Sequence, residues 1–432
     1  MRLAITILIS KIIKLILNIF NKRGGSLPGK IALKIYPNLL KSFKLPQICI
    51  LVSGTNGKTT TTNMIYKALS LKYHTIGNIQ GDNLIAGIST LLLLNSSIVG
   101  KIKAEAVVIE VDEISLPNMV ANLNISHIVV GNFFRDQLDR AGEMETIIRK
   151  FEKALENYHN NLILNADDPN VFRLGYKKKN VYYYKTSKYY QSSTTTNEAN
   201  EGKFCFICNK PLTYDYYQYS HIGNFRCNSC NFDNYSSFIQ ANDICRDAQT
   251  FYVDHKKFHN PYDTIYSLYN CLAVISIAKL LDINYDEVNN MFKTFKMNDG
   301  RMEEFNINRP VLLNLVKNPT GTNEVLKYII KDKSKKDLWI ILNDNGQDGY
   351  DISWIYDVKF EMLKGQVDNI ICSGKRGYEI ALCLKYNDLN NIRVYTNEEK
   401  ALSKFSTLNN KGYVLATYTA LQPVRKLLKG YR

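Results

Sequence analysis

ICILVSGTNGKTTTT, residues 48–62, holds three local structures in a single run. The stretch 48–52 is apolar and rich in β-branched residues, as a strand buried on both faces should be. Ser53 to Gly57 form a glycine loop, after which Met64, Ile65, Ala68 and Leu69 recur at helical spacing. Strand, glycine loop and helix N-terminus make an anion cradle, because backbone N–H groups point at the ligand and the helix dipole favours negative charge. Lys58 would reach the β- and γ-phosphates of a nucleotide, and the Thr59 hydroxyl would bind Mg²⁺. Val52 stands where a full Walker loop has its first glycine, so only the shorter GTNGKT form is present. The expected ATP contacts are therefore Gly54, Thr55, Asn56, Gly57, Lys58, Thr59 and Thr60.

Three later strand ends carry polar clusters. VVIEVDEIS (107–115) ends on Glu110, Asp112 and Glu113; IVVGNFFRDQLDR (128–140) brings Asn132, Asp136, Gln137 and Asp139; LILNADDP (162–169) brings Asn165, Asp167 and Asp168. Each acid alone reads as a solvated turn residue. In register with a phosphate loop they fall where open α/β sheets bind ligands, and Glu110 joins Thr59 as the expected magnesium pair.

With 432 residues the chain is long enough for two or three domains, and 55 Lys plus Arg against 40 Asp plus Glu give a net charge of +15. Such an excess suits an anionic partner: nucleic acid, an acidic membrane surface or a phosphorylated substrate. Residues 3–20, LAITILISKIIKLILNIF, are too broken by Lys11 and Lys14 for a membrane span and lack the pattern of a cleaved signal peptide. Lys11, Lys14, Asn18 and Lys22 form a polar stripe on a greasy helix, which either packs on the protein body or lies in a membrane interface with lysines toward the headgroups.

Of nine cysteines, Cys49, Cys245, Cys271, Cys372 and Cys383 are scattered, the pattern of a reducing cytosol. The other four form Cys205-x-x-Cys208 and Cys227-x-x-Cys230, with 18 residues between the pairs. Two such turns close a tetrahedral Cys₄ zinc site with no open position, hence a structural one. QSSTTTNEAN (191–200) reads as the linker into this ribbon, an insertion at about 201–234. A basic ATP-binding protein with a ribbon raises a nucleic-acid alternative, with Tyr214, Tyr216, Tyr217 and Tyr219 available to stack bases. Residues 201–230, however, hold only Lys203, Lys210 and Arg226 against Glu201 and Asp215, too few for a phosphate-tracking surface.

After Arg301, VLLNLV, DLWIILN, NIICSG, IRVYTN and GYVLATY read as strands separated by helices, a mostly parallel, Rossmann-like sheet. No GxGxxG follows the first of them, so dinucleotide binding is not indicated. A dense polar cluster, Asp344, Asn345, Asp348, Asp351 and Asp357 around Trp354, follows the second; on composition alone it is also an ordinary Asx-rich loop.

GTNGKTTT resembles the ATP loop of the Mur ligase and folylpolyglutamate synthase superfamily. Tyr269-Asn270 and GRMEEF with Arg301 are similar to its nucleotide-contacting elements. GGSLPGKIALKIYPNLL (24–40), LVKNPTGTNEVL (315–326), NDNGQDGYDISWIYD (343–357) and TYTALQPVRKLL (417–428) narrow the resemblance to the MurT family, synthetase subunits of lipid II isoglutaminyl synthase, and extend it over nearly the whole chain. The resemblance implies a Mur ligase-type ATP domain (47–305) carrying a zinc ribbon, behind an N-terminal amphipathic helical segment (1–46), and a glutaminase-contacting C-terminal domain (306–432). It implies an ATP-dependent carbon–nitrogen ligase of peptidoglycan biosynthesis that amidates the D-glutamate α-carboxylate of lipid II through an acyl phosphate, in the cytoplasm or at the inner membrane face. Asn270 and Arg301 would then contact ATP. Gln137 departs from the metal-contacting His of many Mur ligases, and no position is assigned to their carbamylated Lys.

No Cys lies in a GxCxG-like elbow, and His74, His127, His159, His221, His255 and His259 form no motif, so a glutaminase site is not expected in this chain. The resemblance supplies a separate class I glutaminase partner, GatD, whose Cys–His pair would take an Asp from the 344–357 loop: Asp351 first, with Asp348 and Asp344 as the other choices. A stand-alone ligase adding an amino acid is the alternative within the same class.

Overall fold

The computed structural model describes residues 2–20, 24–79, 81–135, 144–198, 201–296 and 300–431. It divides into two compact units, one from Met1–Phe134 with Met144–Phe295 and the other chiefly Lys296–Arg432. Asp136, Gln137 and Asp139 lie outside the described residues.

The first unit is built on a nine-stranded sheet. Its strands are β1 (Ile48–Ser53), β2 (Thr75–Gly77), β3 (Ala106–Glu110), β4 (His127–Val130), β5 (Asn161–Asn165) and β6 (Val181–Thr186), followed after a separate hairpin by β9 (Ile239–Cys245), β10 (Thr250–Val253) and β11 (Lys256–His259). The spatial order is β11-β10-β9-β6-β5-β4-β1-β3-β2. Strands β1 to β6 and β9 pair in parallel, and β10 and β11 continue the edge antiparallel. β1 lies between β3 and β4, and it is buried along nearly its whole length, which is why its sequence is an unbroken apolar run. The chain moves to one side of β1 for β2 and β3 and to the other for β4 to β6, so the loop leaving β1 opens at a topological switch point.

The helix Lys58–Leu69 follows that loop and packs against Ile265–Leu280, whose residues are buried almost all round, as a helix enclosed in a large core must be. The helix Arg2–Ile19 lies on the helices Leu27–Ile35 and Ile85–Leu94. Among the described residues no helix is long and apolar enough to cross a membrane. β7 (Thr213–Tyr219) and β8 (Ile222–Arg226) form a two-stranded antiparallel hairpin of their own.

The second unit holds a six-stranded sheet: β12 (Glu303–Asn306), β13 (Pro310–Leu315), β14 (Lys336–Ile341), β15 (Val367–Ser373), β16 (Ile392–Val394) and β17 (Lys411–Ala416). In the order β12-β13-β17-β14-β15-β16, only the β12–β13 pairing is antiparallel. The apolar runs read as strands from the sequence coincide with β13 to β17. Alternate residues of β14 serve two cores, Leu338 and Ile340 on one face and Trp339 and Ile341 on the other.

Candidate nucleotide site and four-cysteine cluster

The loop after β1 is shaped by two glycines in the left-handed region, Gly54 (φ 122°) and Gly57 (φ 83°). A Cβ on Gly54 would stand 2.9 Å from the Asn132 carbonyl oxygen, and one on Gly57 would stand 2.7 Å from Asn270 Oδ1. Both positions therefore exclude side chains, which keeps backbone exposed in a cradle of phosphate size. Asn132, just past β4, locks the loop from one side. Its Oδ1 accepts from the Asn56 N–H at 2.8 Å, its Nδ2 donates to the Asn56 carbonyl at 3.0 Å, and its own carbonyl accepts from the Thr55 N–H at 2.8 Å. Thr55 is buried, its hydroxyl accepting from the Phe134 N–H at 3.0 Å. From the other side, Asn270 Oδ1 accepts from the Thr61 hydroxyl at 3.0 Å, while the buried Asn270 Nδ2 has no partner among the described residues. A donor left in that state beside Gly57 fits a ligand oxygen.

Lys58 is the first residue of its helix. Its ammonium donates to the Gly54 carbonyl at 2.6 Å and to Glu113 Oε1 at 3.0 Å, and both side chains of this ion pair are about nine-tenths buried. Thr59 and Thr60 follow on the first helical turn, half-buried and buried respectively. Glu110, the last residue of β3, is 2% exposed. Asn83 donates to its Oε1 at 2.9 Å, and its backbone is clamped by Asn78, but its Oε2 is buried with no partner among the described residues. An orphaned carboxylate oxygen at a strand end is the donor a hard oxygen-seeking cation requires, so the residues present fit Mg²⁺.

The third acidic strand end serves the fold instead. Asp168 caps the short helix Pro169–Phe172 and accepts from the Phe133 N–H at 2.8 Å. Asp167 is fully buried and accepts from the Tyr269 hydroxyl at 2.7 Å, the Thr186 N–H and hydroxyl, and Asn234 Nδ2. Burial pushes its carboxyl up to about 6 despite nearby Lys185 and these donors. Tyr269 is thus tied to β5 and β6, while its neighbour Asn270 faces the loop. Arg301, in the second unit, stands two residues before Glu303, the first residue of β12, which accepts from Arg425 Nε at 2.7 Å.

Cys205, Cys208, Cys227 and Cys230 converge, with all four sulfurs within 4.8 Å of one another. Two of the Sγ···Sγ separations are 3.5 and 3.4 Å, close to the spacing of about 3.8 Å that Zn–S bonds of 2.3 Å impose on a tetrahedron. Both CxxC turns have the same build. In each, the first Cys carbonyl accepts from the N–H of an Asn four residues on, Asn209 or Asn231, and both Asn residues are left-handed (φ 57° and 55°). Sequence reading took the CxxC spacing but not this repeated Asn, the signal that marks the two turns as copies. Burial raises the Cys205 thiol and pushes Cys230 up to about 12, while hydrogen bonds around Cys227, led by the Ser229 N–H, outweigh burial and bring it down to about 7. Four packed sulfurs cannot all ionise without a cation, and this donor set suits zinc. The cluster rests on Phe172, Phe225 and Phe232. The hairpin tyrosines are spent on the fold: Tyr214 stacks on Tyr217 at 4.3 Å, the Tyr216 hydroxyl donates to the Thr186 carbonyl, and Tyr219 packs on Phe134.

In the second unit the three Asp candidates of the 344–357 loop differ. Asp348 is 5% exposed and holds the loop to the helix Tyr418–Gly430, accepting from the Thr419 N–H at 2.8 Å and from its hydroxyl. Asp344 is paired with Arg376 at 2.7 Å. Asp351 is half-buried next to the exposed Tyr350 and accepts from the Ser353 N–H at 2.8 Å, a bond that holds its carboxyl below the ordinary value.

A mainly parallel sheet with a phosphate loop at its switch point, together with a second mainly parallel unit, is a Mur ligase-type α/β fold. A Mur ligase middle domain model matches residues 52–227. The fold is similar to that of a pseudomurein peptide ligase type C from Methanothermus fervidus (TM-score 0.70, 20% identity, 92% of this chain and 81% of that one) and to MurF from Acinetobacter baumannii (TM-score 0.63, 14% identity, 92% and 80%). More specifically, a MurT ligase C-terminal model matches residues 315–421. The chain is 34% identical over 417 residues to the subunit MurT of a glutamine-hydrolysing lipid II isoglutaminyl synthase from Staphylococcus aureus, covering 94% of this chain and 93% of that one. It is 30% identical to the Streptococcus pneumoniae subunit of the same name, with 94% and 92% covered. The chain belongs to the MurT family.

Proposed function

We propose that this chain is the synthetase subunit of a glutamine-hydrolysing lipid II isoglutaminyl synthase, amidating the D-glutamate α-carboxylate of the stem peptide to D-isoglutamine. The observation that carries the reading is a Mur-type phosphate loop in the same chain as a C-terminal unit matched by the MurT model. A carboxylate oxygen attacks the γ-phosphorus of ATP, ADP leaves, and an acyl phosphate forms. Ammonia then attacks the acyl carbon and phosphate leaves, so one C–O bond is exchanged for one C–N bond. Lys58 and the N-terminus of its helix stabilise charge on the transferring phosphoryl group, while Asn132 and Asn270 fix the loop that positions it. Mg²⁺ held by Thr59 and Glu110 would neutralise phosphate charge there. Zinc on the four thiolates would be structural, closing a ribbon at about 201–234.

The ammonia source is a separate class I glutaminase subunit of the GatD type, with Asp351 as the residue that orients the partner's His. Asp348 and Asp344 are committed within their own unit, which supports Asp351 over both. A lipid-linked substrate places the work in the cytoplasm, at the inner face of the membrane. The purified chain should convert lipid II to its amidated form with ATP and an ammonium salt but not with glutamine, and should gain glutamine-dependent activity when the glutaminase subunit is added. Attachment of an amino acid in place of ammonia would overturn the reading.

A further inference from the structure

The helix Arg2–Ile19 is apolar on its outward as well as its inward face, where an ordinary surface helix turns polar residues outward. Its inward face buries Thr6, Ile7 and Ser10, and the two hydroxyls bond back to the helix's own carbonyls at Arg2 and Thr6. Its outward face carries Ile5, Leu8, Ile12, Leu15, Ile16 and Ile19, each between 47% and 71% exposed. At roughly 100° per residue these six share one arc of about 100° that contains no charged residue. A contiguous apolar patch of this kind marks an interaction surface. The turn Ser97–Gly100 extends the patch. It is held beside the helix by Leu3 against Gly100 and by Lys11 donating to the Ser96 carbonyl at 2.8 Å, and it exposes Ile98 and Val99. Of the two expectations for the lysine stripe, Lys11 follows the one in which it turns toward the protein body.

Charge says what covers this face. Residues 1–81 contain 12 Lys and Arg and not one Asp or Glu, so most of the net +15 originates here and the remainder of the chain is nearly balanced. Lys30 and Lys34 are exposed on the helix packed against Arg2–Ile19, and Lys41 and Lys44 on the turn that follows. A second copy seated on this face would bring like charges together, whereas an anionic lipid surface matches the apolar arc and the lysines at once. We propose that the helix Arg2–Ile19 and residues 27–44 dock the chain on an anionic bilayer, the apolar arc entering the boundary between headgroups and acyl chains while the lysines meet lipid phosphates. The proposal rests on the lipid-linked substrate of the proposed function for its purpose, but its geometry is independent of that reading.

Co-sedimentation with vesicles free of lipid II tests it, comparing phosphatidylcholine alone with phosphatidylcholine mixed with phosphatidylglycerol. The native chain should partition onto the mixed vesicles at least about tenfold more than onto phosphatidylcholine alone, and less as salt rises. The double substitution Leu15→Glu and Ile19→Glu, at positions 63% and 71% exposed and so harmless to folding, should lower that partition by about tenfold or more. A second pair, Lys30→Glu with Lys34→Glu, should remove the preference for the anionic mixture. Equal sedimentation of native and Leu15/Ile19 chains, no vesicle binding by the native chain, or a self-association that this double substitution abolishes would each overturn the proposal. A chain that binds these vesicles yet fails to amidate would count against the proposed function alone.

Discussion

The Lys58 ammonium is fixed at the loop by the Gly54 carbonyl and by its ion pair with Glu113, so its charge is preorganised where a phosphate would lie. Lys58→Ala should reduce ammonium-dependent amidation by about 10²–10³-fold in kcat, as expected when one preorganised charge is removed from a transferring phosphoryl group; a loss under tenfold in steady-state kinetics would contradict this. Asp167 makes a second, pH-dependent case. Burial raises it to about 6, above its unfolded value of about 3.9. The folded state therefore takes up this proton first, and stability from this group rises as pH falls from 7 toward 5, the opposite of a salt-bridged carboxylate. Thermal melts should show the advantage of the native chain over Asp167→Asn growing across that window, and a constant difference would refute the assignment. Gly54, Gly57 and Lys58 were legible in the sequence because the loop's geometry permits few other residues. Asn132 and Asn270 as locks of that loop were not, since their partners lie 76 and 209 residues away and only the folded sheet joins them.

The β7–β8 hairpin depends on the four-cysteine cluster at its base and on Asn234, which donates to Asp167 and to the Ala166 carbonyl. The purified protein should contain one zinc per chain. Cys227→Ser or strong chelation should lower Tm by roughly 5–10 °C, the loss of a few kcal/mol in a unit of this size, and should raise amide exchange across 202–234. Zinc-free protein with an unchanged melt would contradict the structural role. CxxC spacing made this element readable, but its seat on Phe172 was not, because nothing local pairs that ring with Phe225, about 50 residues along the chain. The N-terminal helix was read as amphipathic, yet periodicity locates a stripe without saying which face turns inward. The buried face proved to hold Thr6, Ile7 and Ser10, and the open one Ile5, Leu8, Ile12, Leu15, Ile16 and Ile19.

Both units are α/β layers, and β1, β3, β4, β5 and β13 to β17 could be read directly, because parallel strands buried on both faces leave uninterrupted apolar sequence. The short β2, the edge strand β12 and the strands β6 and β9 to β11 were not read. The order of the strands was not readable; it follows from crossovers that bring β1 between β3 and β4. What joins the units in function is the division of labour proposed for them, nucleotide chemistry in one and contact with a glutaminase in the other. Asp351→Asn should accordingly depress glutamine-dependent turnover of the assembled enzyme by about 10²–10⁴-fold, the range seen when a carboxylate orienting a catalytic His is lost, while ammonium-dependent turnover stays at the native rate. Equal loss of both would remove Asp351 from the partner's site. Activation of the stem-peptide carboxylate is the claim on which the rest depends, and heavy-oxygen labelling of that α-carboxylate tests it most directly. With ATP, an ammonium salt and labelled lipid II, mass spectrometry should find one labelled oxygen in each phosphate released and an amide in place of the carboxylate. Unlabelled phosphate, or a product heavier by a whole amino-acid residue, would contradict it.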